Sequence, residues 1–494
     1  MPYLLNLIYL ALVTVLSPWL LYSAIRKGKY RQGLRAKLFG QTPIRFDERF
    51  CVWLHAVSVG EVNLLKPILQ AIEREHPDWE CVISTTTQTG FELAQQKYSP
   101  RMVFYCPLDF TWSVKRALSR IRPDMLVLAE LELWPNLIRY AQKSGAKIAV
   151  VNGRLSENSA RGYGRLGGFV RSLLSRIDLI AVQNDEYKHR FLAIGADGGT
   201  VEVTGSIKFD GAELDRNNPR TRSLALEAGV TASDRVFLVG STQAPEEQLA
   251  LESFYEARTS SPESNLRLII VPRHPDRFDE VAKLLDDSPV NWIRRSDLGL
   301  AAERAGQWEV LLVDVVGELG AWWGTAQIGF VGGSMGTRGG QNMIEPAAYG
   351  VATCFGPKTA NFRDVVTLLL DGNAAQVVAD GRELTEFVLK CLQDETFAQQ
   401  IGKRAQSLVQ TQQGATQQTL HLLEQLAERQ PDNDAELVST KLNWAADKAA
   451  ELTKNAVSDE LKREQRIDKP QPGPSGESKG SSDSPNRTGK DAAP

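Results

Sequence analysis

Histidine and methionine are scarce in this chain, five of each in 494 residues, and neither forms a cluster. No HxxxH pair or Cys/His group has metal-ligand spacing, so neither a structural nor a catalytic zinc is expected. The five cysteines (Cys51, Cys81, Cys106, Cys354 and Cys391) include no CxxC pair. Scattered among apolar neighbours, they suit small core residues in a reducing compartment better than a disulfide framework. Net charge is also small, −3, which argues against a nucleic-acid partner and against an acidic disordered chain. A Walker A sequence is missing too, which disfavours a P-loop NTPase. What is present is an apolar fraction of 42%, enough at this length for two or three domains with cores of their own.

Charge is absent from residues 1–25, which read PYLLNLIYLALVTVLSPWLLYSAI after Met1. About 20 apolar residues suffice to cross a bilayer. A secretory signal would carry positive charge ahead of its apolar run. Here Arg26, Lys27, Lys29, Arg31, Arg35 and Lys37 come after it, with no acid before Asp47. The positive-inside rule then places the rest of the chain in the cytoplasm, with the basic run facing anionic lipid. Asn6 and Pro18 weaken a straight span, so a spanning helix and one lying in the membrane surface both fit. The expectation is a membrane anchor over 1–25, with membrane lipid as a partner.

From Cys51 onward, short apolar runs alternate with amphipathic stretches, the pattern of an α/β fold with parallel strands. The first set of predicted strands is Val52–Val57, Cys81–Thr85, Met125–Ala129, Lys147–Val151 and Leu179–Val182. After a polar stretch near Asp215–Arg222 the pattern restarts with Val236–Val239, Leu268–Val271, Val310–Val313, Ile328–Val331 and Ala352–Phe355. Between strands lie helical patterns such as Leu65, Ile68, Leu69 and Ile72. This reads as two Rossmann-like domains, 26–215 and 216–430, facing a cleft that the carboxyl ends of their strands line. Residues 431–494 form a polar tail, largely disordered by composition, with a charged amphipathic helix an option within 435–466.

Several strand ends carry chemistry-bearing residues. Ser58-Val59-Gly60-Glu61 makes a capping box, and the same placement holds the Glu61 carboxylate as an anion able to accept a proton. Glu130-Leu131-Glu132 ends the run Met125–Ala129, either as surface charge or as a carboxylate pair aimed into the cleft. Lys208, in Gly205–Asp210, is either a solvated lysine or a point charge for a donor's phosphate or carboxylate. In the second half, Gly240-Ser241-Thr242, Pro272-Arg273, Val316-Gly317-Glu318 and the two glycine-rich segments Gly332–Ser334 and Gly339–Glu345 follow successive strands. Singly these are ordinary turns, whereas together they favour a nucleotide site in which backbone N–H groups and Arg273 receive phosphate. Glu345 is placed to hold the two hydroxyls of a ribose.

With these residues quoted, the chain resembles the 3-deoxy-D-manno-octulosonate (Kdo) transferases over about residues 4–426. The segments HAVSVGE, ELELWPNLI, GRLSENSARGY, GSIKFD, VPRHPDRF, GELGAWWGTAQIGFVGGS and RGGQNMIEPA occur in that family's order. The resemblance implies a GT-B glycosyltransferase fold, a CMP-Kdo donor, a lipid IVA acceptor and a place on the cytoplasmic side of the inner membrane. It makes Glu61 the general base and gives Glu130 and Lys208 a part in stabilising the transition state. Pro272, Arg273, Val316, Gly317, Glu318, Asn342, Met343, Ile344 and Glu345 would bind CMP, with no cofactor or metal. Arg154, Arg161 and Arg165 are either acceptor-phosphate ligands or an ordinary solvated face. One departure stands out: Glu130-Leu131-Glu132 replaces the family's Glu-Thr-Glu. Two rival readings remain, a GT-B transferase using a UDP-sugar and a membrane-tethered nucleotide-binding protein without catalysis.

Overall fold

The computed structural model describes residues 2–27, 32–298 and 306–429. The expectations for the tail 431–494, and for Lys29 and Arg31 of the basic run, lie outside the described residues. Two seven-stranded sheets, parallel throughout, form the frame. The first contains β1 (Cys51–His55), β2 (Glu80–Thr85), β3 (Val103–Tyr105), β4 (Met125–Ala129), β5 (Lys147–Gly153), β6 (Leu179–Val182) and β7 (Val201–Val203). Its strand order is 3-2-1-4-5-6-7, so the direction of winding reverses between β1 and β4. The second contains β8 (Arg235–Thr242), β9 (Leu266–Pro272), β10 (Trp292–Arg294), β11 (Val310–Leu312), β12 (Ile328–Val331), β13 (Ala352–Phe355) and β14 (Gln376–Val377). Its order is 10-11-9-8-12-13-14, with the reversal between β8 and β12. Such reversals open crevices at the strands' carboxyl ends, where α/β sheets bind ligands.

Apolar runs such as Val52-Trp53-Leu54 and Met125–Ala129 are fully buried because helices cover both faces of a parallel sheet. Leu65, Ile68, Leu69 and Ile72 line the buried side of helix Val59–Glu75 as their spacing predicts. All five cysteines are buried and unpaired. The polar stretch near Asp215–Arg222 already contains a helix start. Asn218 accepts a hydrogen bond from Thr221 N–H at 3.0 Å, and Pro219 opens helix Pro219–Ala228.

The last helix, Ala415–Glu428, returns to the first sheet. Leu420, Leu423 and Leu426 share a core with Val62, Leu65 and Ile68, each burial worth roughly 2 kcal/mol. Asp210 fixes the crossing point by accepting from the N–H groups of Gly414, at 2.7 Å, and Thr416. The carboxyl ends of the two sheets also meet. The Tyr187 hydroxyl, on the helix after β6, donates to Asp364 at 3.1 Å, on the helix after β13.

The expected anchor segment does form a helix, Pro2–Lys27. Among the described residues, however, no helix is long and apolar enough to cross a membrane, so the structure does not support a spanning anchor. Asn6 has a docking role. Its amide donates to the Thr111 hydroxyl at 2.8 Å and accepts from Thr111 N–H at 3.1 Å. Tyr9 donates to Asp109 at 3.0 Å, and Asp109 also receives the N–H groups of Asn136 and Leu137. One side of the helix is thus bound to the first domain, while Leu4, Leu7, Ile8, Leu12, Val15 and Trp19 are exposed.

Candidate active site

The loop after β1 and the helix that follows it fix Glu61. Ser58 is the N-cap, and its hydroxyl donates to Glu61 Oε1 at 2.8 Å while Val57 N–H donates to Oε2 at 2.8 Å. Each carboxylate oxygen keeps a second lone pair for a substrate proton. The expected stabilisation of the anion is outweighed: burial, with some help from the Glu130 charge, raises the Glu61 pKa above the ordinary glutamate value. A helix terminus contributes only about 0.3–1 kcal/mol, less than the desolvation it opposes here. For a general base the shift is useful, because proton affinity rises toward the working pH.

Glu130 stands across the reversal point, directly after β4, with a left-handed φ of 56° that costs a non-glycine residue energy. Its N–H still donates to Val151 O at 2.9 Å, so the backbone is held there by the sheet. Lys208 Nζ donates to Glu130 Oε1 at 2.9 Å, and Arg154 lies 3.5 Å from Oε2. Two of the three predicted catalytic side chains are therefore in direct contact. Glu132 joins them: Trp134 Nε1 donates to it at 3.0 Å, and burial, then the charges of Glu61 and Glu130, push its pKa to about 7. The Glu130–Glu132 pair faces the carboxylate cluster rather than bulk solvent. In the sequence Glu132 was the second acid of a doublet, and Arg154 either an acceptor-phosphate ligand or part of a solvated face. Arg161 pairs instead with Glu157 at 3.5 Å, and Arg165 is exposed.

On the second sheet, the loops after β9, β11 and β12 come together around Glu345. Arg273, exposed after β9, is near enough for its charge to act on Glu345. Gly320, after β11, leaves room for Glu345 Oε2, which would sit 3.8 Å from a β-carbon there. Asn342 donates to Glu345 Oε1 at 3.0 Å and accepts from Ile344 N–H at 3.1 Å, so it holds both the side chain and the helix start. Burial raises the Glu345 pKa. Met343 and Ile344 are buried, whereas Val316 is exposed. Pro272 is the buried last residue of β9. Glu318 is held within the protein by Arg295 at 2.9 Å and Trp322 Nε1 at 3.2 Å, and Gly317 O accepts from Arg220 at 2.7 Å.

The turns after β8 and β12 differ from expectation. Their backbone donors do not face an open phosphate site. Buried Glu246 accepts from Gln243 N–H at 2.9 Å, Gly333 N–H at 2.7 Å, and Ser334 and Met335 N–H at 2.9 Å each. A carboxylate of the chain itself fills the position that anions take at such turns. Gly240 answers to packing, since a β-carbon there would lie 2.4 Å from the Trp323 ring.

A curated 3-deoxy-D-manno-octulosonic acid transferase from Haemophilus influenzae is 30% identical over 85% of this chain and 98% of its own. A second, from Bordetella pertussis, is 32% identical over 82% and 92%. The chain belongs to the 3-deoxy-D-manno-octulosonic acid transferase family. This Kdo transferase is accordingly a glycosyltransferase. The family model for 3-deoxy-D-manno-octulosonic-acid transferase (kdotransferase) matches residues 28–211, the first-sheet half of the Kdo transferase. Its fold is also similar to that of a putative UDP-N-acetylglucosamine 2-epimerase from Listeria monocytogenes. The TM-score is 0.51 at 12% identity, over 78% of this chain and 98% of that one. A glycosyltransferase from Rickettsia africae gives 0.50 at 10%, over 78% and 100%. These two likenesses concern the GT-B-like fold alone.

Proposed function

We propose that this Kdo transferase moves Kdo from CMP-Kdo to lipid IVA in lipopolysaccharide biosynthesis, by a single displacement that inverts the anomeric carbon. The observation that carries the reading is the acid–base cluster at the β1/β4 reversal. A half-buried carboxylate of raised proton affinity, Glu61, lies beside an ion-paired one, Glu130, with Lys208 and Arg154 attached. An acceptor hydroxyl attacks the anomeric carbon and its proton passes to Glu61. The new glycosidic bond forms as the bond to the CMP phosphate oxygen breaks, and CMP leaves with the electron pair. Lys208 and Arg273 are the fixed cations that offset charge on the departing phosphate and the Kdo carboxylate. Glu345, positioned by Asn342, takes the ribose hydroxyls, and transfer needs no added metal in this scheme.

The exposed apolar side of helix Pro2–Lys27, followed by Arg35 and Lys37, suits attachment in the plane of the inner membrane's cytoplasmic face. That placement keeps a soluble donor and a lipid acceptor within reach of one cleft. The test is incubation of the full chain, in detergent, with CMP-Kdo and lipid IVA without metal, followed by mass. A gain of one or more Kdo units supports the reading. No transfer beside an active control enzyme overturns it, and competition by UDP rather than CMP would move the donor to a UDP-sugar.

A further inference from the structure

The second sheet has a cavity of about 300 Å³ at the end away from the donor loops. Arg235 opens β8 and Gln327 precedes β12, so the cavity lies at the strands' amino ends. Three cations line it: Arg216 from the connection between the sheets, Arg235, and Lys403 on helix Glu395–Gln412. Its one acid, Glu395, is already paired with Arg235 at 3.1 Å. Arg216 and Lys403 have no carboxylate partner among the described residues. The Arg216 Nε donates to Tyr349 O at 2.6 Å, which turns the guanidinium to the cavity wall without neutralising it. Burial without a counter-charge draws its pKa down to about 10.

A half-buried cation such as Arg216 is normally matched by an anion, because desolvating an unpaired charge is costly, and exposed Lys403 stands at the same cavity's rim. Here the fold supplies a room for one. We propose that this cavity binds a small polyanion bearing phosphate or carboxylate groups, held by Arg216 and Lys403. The guanidinium offers paired donors to two oxygens of one group, and the ammonium adds a point charge. The volume, at the lower end for small-molecule sites, suits a pyrophosphate- or tricarboxylate-sized ligand rather than a nucleotide sugar. It opens at the amino ends of β8 and β12, whereas Arg273 follows the carboxyl end of β9.

Titration calorimetry of the full chain with sodium pyrophosphate, repeated with citrate, tests the site. One-site binding of at least one of the two is expected. Lys403→Glu, a change at an exposed position, weakens it about tenfold or more, the worth of one charge-assisted bond. Arg216→Gln does the same where it folds, and Arg273→Ala leaves binding unchanged. Absence of binding by both anions overturns the proposal. So does binding that survives Lys403→Glu, or that is lost in Arg273→Ala.

Discussion

At the scale of single residues, the electrostatics centre on three glutamates gathered at one strand reversal. Glu130 is compensated by Lys208 and Arg154, whereas Glu61 and Glu132 are half-buried and, among the described residues, form no ion pair. Burial raises the pKa of both, helped at Glu61 by the Glu130 charge and at Glu132 by the charges of Glu61 and Glu130. A general base works deprotonated, so kcat/KM is expected to rise with pH along an acid limb whose midpoint exceeds that of an ordinary glutamate. Glu130→Gln removes the negative neighbour whose charge helps raise the Glu61 pKa and moves that limb to lower pH. A pH–rate profile of the two proteins reads this directly, and an unmoved or raised midpoint contradicts it. Glu61 and Glu130 were legible because each sits in a short motif at a strand end, whereas Lys208, near the junction of the halves, was singled out by the family resemblance of its motif. Glu246 was not legible, since its partners Gly333, Ser334 and Met335 are nearly ninety positions away in sequence.

At the scale of elements, hydrophobic pattern found ten strands and missed four. The missed ones are β3, β7, β10 and β14, which are the edges of the two sheets and only two or three residues long. Central strands carry apolar runs because both faces are covered, whereas short edge strands bury too little to leave a pattern. The N-terminal helix shows the complementary limit. Its apolar composition was plain, but only the structure distinguishes the docked polar contacts of Asn6 and Tyr9 from the exposed side bearing Leu7, Leu12 and Val15. Because those three side chains touch solvent, replacing them together by Glu leaves the fold intact. It is expected to weaken partition into vesicles containing anionic lipid by at least about 100-fold, from the apolar area withdrawn. Co-sedimentation measures it, and unchanged partition would contradict membrane attachment through this side.

At the scale of the whole molecule, the two reversal crevices serve different ends. The first holds the carboxylates proposed to do the chemistry. In the second, Glu246 occupies the backbone donors, and the donor-side residues gather around Glu345 instead. Helix Ala415–Glu428 crosses back to the first domain and Tyr187 meets Asp364, so each half of the cleft is tied to the other. Two parallel sheets were readable from the strand pattern, which breaks near Asp215–Arg222 and restarts at Val236. The return of the last helix was not, because periodicity tells which side of a helix is apolar and nothing of which domain it covers. In the proposed mechanism this cleft transfers Kdo with Glu61 as the proton acceptor. The most direct test is the initial rate of Kdo transfer to lipid IVA by Glu61→Gln, with CMP-Kdo binding measured on the same preparation. The account predicts a fall of about 10²–10⁴-fold in rate with donor affinity nearly unchanged. Transfer at the wild-type rate would contradict it.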